Sequence, residues 1–385
     1  MLPRKFRRGA LFAAVNLTAP RPTVGARRDF SHVIIAGVIG ARSGLAQAAL
    51  GLMRRIGETR PVASIDLAPA FLAGKPGLQD SVLPERGAMI IVINSPFMPF
   101  AMTYLGRKRL KDRYLVAHWS WELETLPDDW RNGFDCVHEI WVSSAFMADA
   151  IRAQAACPVH VVPPTPADIV LTSPPEPRSH DTVLTVLVMF DMGSSLARKN
   201  PLAAIAAYRQ AFADAPTARL IVKMSNGEVY PPGVEAIEEA IAGTASITLM
   251  TDPMDREATL ALISSADILL STHRSEGFGL PLFEAMLLER VVIATGWSAN
   301  TEFMNDQNAV LLPYELIPAI DPQDTYTLAN AKWADVDINA TATALRSVAD
   351  NAVLRQALSA QARRDTLAFI ARADAELSRL MAEHP

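Results

Sequence analysis

The chain has 385 residues, long enough for two domains with full cores. Hydrophobic residues make up 50%, charged residues 20%, and the formal net charge is −5, so nothing in the overall balance favours a nucleic-acid partner. Two cysteines, Cys136 and Cys157, make neither a disulfide framework nor a metal-ligand set, and no apolar run approaches the ~20 residues of a membrane-spanning helix; a cytoplasmic setting is the simple expectation.

Residues 1–30 form a basic arm in which Arg4, Lys5, Arg7, Arg8, Arg21, Arg27 and Arg28 face a single acid, Asp29. Leu11 to Val15 is too short for a secretory core. The arm reads as poorly ordered, with weak contact to the anionic inner face of a membrane as the functional alternative. From residue 31 to 165 short apolar runs alternate with helical stretches. The strand candidates are His32–Ala36, Val62–Asp66, Met89–Asn94, Tyr114–His118, Glu139–Ser143 and Val159–Val162, and Leu45 to Ile56 reads as helix. Alternation of this kind predicts parallel βαβ units, with strands buried on both faces. Six prolines between Pro163 and Pro177 mark a linker over 166–181. A second alternating set fills 182–360: Val183–Phe190, Arg219–Met224, Ile247–Met250, Ile268–Ser271 and Val291–Thr295. Ala352 to Met381 reads as terminal helix, and 361–385 is the part expected to cross back to the first domain.

Several segments carry chemistry. The glycine loop Gly37–Gly44, with Gly40 and Gly44, lacks the G-x-G-x-x-G spacing of a dinucleotide fingerprint. His118-Trp119-Ser120-Trp121-Glu122 follows a strand; its aromatic faces and polar groups suit a sugar, although a core histidine beside packing tryptophans has the same sequence. Arg198 and Lys199, between a strand end and a helix start, could neutralise a diphosphate, and Lys223 is a weaker candidate for the same task. Ser275 to Met286 reads Ser-Glu-Gly-Phe-Gly-Leu-Pro-Leu-Phe-Glu-Ala-Met. Leu280-Pro281 suits a helix start, which puts Glu276 in the loop and Glu284 in the first helical turn. Gly277 and Gly279 permit close backbone approach, and the helix N-terminus offers amides to an anion. Two carboxylates beside an anion site suit a ligand with phosphate at one end and hydroxyls elsewhere, as in a nucleotide sugar. Asp335-Val336-Asp337 is the one Asp-x-Asp triplet, and it comes late; no metal is expected.

The Glu276-x7-Glu284 stretch resembles the signature of the retaining GT-B glycosyltransferases of family four, the glycosyl transferases group 1 type. The resemblance covers most of the chain after residue 30. It implies an α/β fold with two Rossmann-like domains whose parallel sheets face a central cleft. It also implies hexosyl transfer with retention and without metal, from a nucleotide-sugar donor to a glycan, lipid-linked glycan or other glycoconjugate. Glu276 with Gly277, Phe278, Gly279 and Leu280 would hold the donor sugar, and Glu284 the ribose. Lys199, aided by Arg198, would bind the phosphates. Gly40, Gly44, Trp119, Trp121 and Glu122 would meet acceptor or sugar, and Glu276, His118 and Lys199 would serve catalysis. Thr295-Gly296-Trp297-Ser298-Ala299-Asn300-Thr301-Glu302-Phe303-Met304 resembles a family stretch that usually reads Ser-Gly-Asn, with Ala299 in place of the glycine. The rival readings are a sugar-nucleotide epimerase of the same fold and a catalytically silent nucleotide-sugar-binding scaffold.

Overall fold

The computed structural model describes residues 14–41, 43–73, 83–166, 169, 183–213, 215, 217–326 and 328–382. Most of the expected linker, and the arm before residue 14, lie outside them. The described residues form two compact units, one up to Ile169 together with the residues from Arg372 onward, the other between.

The first unit is built on six parallel strands: β1 (Val33–Gly37), β2 (Val62–Asp66), β3 (Ala88–Val92), β4 (Tyr114–Trp119), β5 (Glu139–Val142) and β6 (Val159–Val161). Their order is β2-β1-β3-β4-β5-β6, with Val33 opposite both Val62 and Ala88. Every residue of β1 and β3 is buried, as strands covered on both faces must be. Serines start two of the covering helices: Ser43 accepts from the Ala46 amide ahead of Gly44–Gly57, and Ser144 from the Met147 amide ahead of Ala145–Arg152.

Half of the basic arm is part of this unit. Residues 14–18 are helical, Ala19 and Phe30 are buried, and the Phe30 ring stacks on Trp141 at 5.8 Å. Arg28 is ion-paired with buried Glu139 at 2.9 Å and donates to the Leu380 carbonyl. An arginine committed in this way anchors the chain, so the described part of the arm departs from the poorly ordered segment expected. The long helix Ala352–Ala382 supplies the other side of this contact. Its Leu377, Leu380 and Met381 enter the same apolar core as Phe30, Val33, Ile90 and Trp141. Arg55 reaches Asp374 at 2.5 Å and the Ala373 carbonyl at 2.8 Å.

The second unit repeats the plan with β7 (Leu184–Asp191), β8 (Ala218–Ser225), β9 (Ile247–Met250), β10 (Ile268–Ser271), β11 (Val291–Thr295) and β12 (Val310–Leu312), in the order β12-β11-β10-β7-β8-β9. The chain leaves β7 toward β8 on one side and returns to pair β10 on the other. The switch point of an open parallel sheet therefore falls between β7 and β10, where loops diverge and leave a crevice. An antiparallel pair, β13 (Tyr314–Pro318) and β14 (Lys332–Val336), follows; neither strand was expected. Among the described residues no helix is long and apolar enough to cross a membrane.

Candidate active site

The loops after β7 and β10 meet at that switch point and are bonded to one another throughout. The Arg274 amide donates to the Arg198 carbonyl at 2.7 Å, and Thr272 Oγ1 donates to the Asn200 carbonyl at 2.6 Å. Arg274 Nη1 reaches the Ala197 carbonyl, and Arg198 Nη1 the Ser275 carbonyl, both at 2.8 Å. Ser195, Asn200 and Ser298 all have positive φ, at 70°, 49° and 75°, backbone strain of the kind that gathers at functional sites.

This clasp brings Glu276, Arg198 and Lys199 together. Lys199 Nζ donates to Glu276 Oε1, and Arg198 Nη1 lies 3.3 Å from Oε2. Burial by itself would raise the Glu276 carboxyl; the Lys199 ammonium, and then the Arg198 guanidinium, outweigh it and hold the group down at about 2. Two cations against one carboxylate leave the cluster with an excess positive charge. A cavity of about 20 Å³, lined by Met189, Lys199, Ser271, Thr272, Glu276 and Pro281 among others, lies beside the pair. That is room for about one water.

Behind Glu276 lies a buried polar network. Its amide donates to Ser298 Oγ at 2.9 Å, and Ser298 Oγ donates to Asn300 Oδ1 at 3.3 Å. Asn300 Nδ2 donates to the Thr295 carbonyl, which fixes the amide's orientation, so Oδ1 also accepts from His273 Nε2 at 3.1 Å. His273 Nδ1 is then left to accept from the Ser271 hydroxyl at 2.9 Å. Burial is the main reason that the His273 imidazole is pushed down to about 4, and it stays neutral. The resemblance of the 295–304 stretch had pointed near Ser298 and Asn300. Nothing local in the sequence marks His273.

Helix Leu280–Leu287 starts as expected, with Gly279 as its cap at φ 95° and Pro281 in its first turn. Glu284 is its fifth residue, at the start of the second turn and just past the first turn expected. Its buried carboxylate pairs with Arg256 Nη2 at 2.7 Å. Arg256, not singled out from the sequence, opens helix Arg256–Ser265, whose cap Asp255 accepts from the Ala258 amide. The Phe278 ring is turned into an aromatic cluster with Phe283, Phe303 and Phe369, so this side chain is committed to packing.

Other expected residues sit differently. Lys223 Nζ donates to the Met224 carbonyl at 3.1 Å and the Asp252 carbonyl at 2.9 Å, so it ties down the loop ahead of Arg256 and does not join Arg198 and Lys199. His118 and Trp119 are fully buried in the first unit. His118 Nε2 lies 3.0 Å from the Val162 carbonyl, and burial pushes its imidazole down to about 4. Trp119 packs edge-on against Trp130 and Phe134; Trp121 donates to the Thr125 carbonyl. In this structure these three are packing residues, with no face offered to a sugar; Glu122 is half-buried. Gly40 has a reason inside the fold, since a Cβ there would meet the Asp66 carboxylate at 2.7 Å. Gly44 opens helix Gly44–Gly57. Asp335 pairs with Arg274 at 2.8 Å, and Asp337 caps helix Ile338–Asp350, so both acids of the Asp-x-Asp triplet have structural partners.

Residues 193–330 match the family model for glycosyl transferases group 1. No curated protein matches the sequence. Among solved structures, HepE of Anabaena, in complex with UDP and glucose, is similar at 12% identity over 91% of this chain and 99% of its own, with a TM-score of 0.63. A glycosyltransferase from Rickettsia africae is similar at 12% identity over 93% and 100%, with a TM-score of 0.63. A TarM mutant of S. aureus, in complex with fondaparinux, alpha-GlcNAc-glycerol and UDP, is similar at 14% identity over 72% of this chain, with a TM-score of 0.52; the chain spans about half of its length, 51%. At such identities the likeness is one of fold, and that fold is GT-B. The chain has that fold, and the segment that matches the glycosyl transferases group 1 model lies in its second unit.

Proposed function

We propose that the protein is a retaining glycosyltransferase that moves a hexose from a nucleotide-sugar donor to a glycan, lipid-linked glycan or other glycoconjugate. The observation that carries this reading is the cluster of Glu276 with Arg198 and Lys199 at the switch point, directly ahead of the short helix that carries Glu284. HepE is solved with UDP and glucose, which makes UDP the first nucleotide to try. A donor diphosphate would take Lys199 from Glu276 and lie against the amides at the start of Leu280–Leu287. The freed carboxylate would accept hydrogen bonds from sugar hydroxyls and favour positive charge at the anomeric carbon. Catalysis is then mostly positioning and charge stabilisation. The departing diphosphate takes the acceptor's proton on the same face of the sugar, and no metal enters the step. The reaction belongs in the cytoplasm, or at the inner face of a membrane when the acceptor is lipid-linked.

Calorimetry with UDP, GDP, ADP and dTDP, on the wild type, Glu284→Ala and Lys199→Ala, tests the donor site. Selective binding of one nucleotide, weakened by both substitutions, is expected. Folded wild-type protein that binds none of them would remove the reading. With the donor so chosen, NMR of the glycosidic product reads the anomer, and inversion would refute retention. Activity is expected to survive EDTA.

A further inference from the structure

The turn Asp321–Tyr326, between β13 and β14, takes no part in the chemistry above, yet it touches the 192–199 loop at four places. We propose that this turn is a positioning element: Asp321, Gln323 and Tyr326 hold the loop so that Arg198 and Lys199 are aimed at the Glu276 site. The inference rests on the reading of these two cations as donor-phosphate ligands.

Asp321 is buried, and its Oδ1 accepts from Ser195 Oγ at 2.7 Å and from the Gln323 amide at 3.1 Å. Oδ2 accepts from the Thr325 amide at 2.9 Å and the Tyr326 amide at 3.2 Å. One carboxylate thus folds its own turn and turns its remaining acceptor site on Ser195. Because a carboxylate only accepts, the Ser195 hydroxyl must donate to it. The same oxygen accepts from the Arg198 amide at 3.2 Å. Ser195, with φ 70°, is the strained residue of this loop, and it is locked from Asp321 on one side and by Arg198 on the other.

Gln323 grips the loop with both ends of its amide. Oε1 accepts from the Leu196 amide at 2.7 Å, and Nε2 donates to the Met192 carbonyl at 2.9 Å. The Tyr326 ring then lies 5.4 Å from the Arg198 guanidinium, close enough for a cation–π contact on the side chain itself. Asp321, Gln323 and Tyr326 are not members of the apolar core of the second sheet, which is built on Val186, Val188, Leu220, Ile268 and Ile293 and takes only Met192, with Leu196 against it, from the loop. Loss of the turn's grip should therefore loosen the loop and spare the sheet.

Hydrogen exchange and nucleotide calorimetry on Asp321→Ala and Gln323→Ala separate these effects. The amides of Arg198, Lys199 and Asn200 are expected to exchange roughly tenfold faster or more, with β7 and β8 unchanged, and the nucleoside diphosphate Kd to rise roughly tenfold. Should Asp321→Ala fail to fold, Gln323→Ala, which removes two hydrogen bonds, gives the same reading. Unchanged exchange in the loop, or faster exchange spread through β7 and β8, would overturn the inference. A wild type that binds none of UDP, GDP, ADP and dTDP would defeat the phosphate reading by itself, while the exchange arm still reports on the positioning.

Discussion

The guanidinium of Arg256 stands 2.7 Å from the carboxylate of Glu284, and that carboxylate is almost wholly withdrawn from solvent. A buried acid stays charged only with a partner of this kind. Arg256→Ala is expected to cost roughly 1–3 kcal/mol, the price of leaving a buried acceptor short of its donor, and to weaken nucleotide binding as well. Glu284→Gln should weaken binding with a smaller loss of stability, because it removes the charge and keeps the shape. Urea titrations beside calorimetry check both, and Arg256→Ala indistinguishable from wild type in the two assays would rule out the pair's importance.

Two buried histidines set an acid limit on stability. His118 and His273 are both pushed down to about 4 from the ordinary 6.5, mainly by burial. Between these values the unfolded chain binds protons that the folded chain refuses, so stability falls as pH drops from about 6.5 toward 4. His273→Asn and His118→Asn should each flatten this slope, though each also costs stability at neutral pH. A urea midpoint independent of pH across that window in the wild type would contradict the burial argument.

Glu276 acts in the same direction, in a more acidic window. Its carboxyl is held at about 2 against an ordinary 4.5, so the stability it contributes is complete above 4.5 and is lost as pH falls toward 2. Lys199 is the strongest of the groups that lower it. Lys199→Met should therefore raise the Glu276 carboxyl and move the loss to higher pH. Carbon-13 NMR of labelled glutamate would follow this titration directly, and an unmoved Glu276 resonance would separate the two residues.

Gly279 combines φ 95° with a helix start, and a Cβ there would lie 3.1 Å from Leu282 Cδ1. Gly279→Ala is expected to cost about 1–2 kcal/mol from the left-handed backbone alone. Gly279→Asn should cost less, because asparagine visits that region more readily. Equal urea midpoints for both variants and the wild type would argue that the loop re-forms in another conformation.

Much of this architecture could be read from residue patterns. Ile268–Ser271 and Val291–Thr295 are strands with the bounds expected, because buried parallel strands are continuous β-branched and aliphatic runs, and the partly buried edge strands Val62–Asp66 and Ile247–Met250 also keep the bounds expected. β13 and β14 escaped: Pro318 and Pro322 break the pattern, and most of β13 faces solvent, so no apolar run signals it. Glu276 and Lys199 stood out through motif chemistry. Arg256 and His273 did not, since an arginine at a helix start and a histidine after a strand gain meaning only from Glu284 and Asn300. Ser195 and Asp321 are 126 positions apart and share no local signal. His118 shows the reverse limit: its tryptophan neighbours suit a sugar site and a packed core alike, and burial separates the two.

The last turns of the helix Ala352–Ala382 have a consequence for synthesis. Leu377, Leu380 and Met381 complete a core whose other members, from Phe30 to Val162, leave the ribosome far earlier. Arg28, Arg55 and Arg60 each wait for carbonyls at residues 373–381. The amino-terminal unit cannot close while the chain is still being translated, so it spends most of elongation with that face open to chaperones. A stop codon near Arg372 would harm the part of the protein made first.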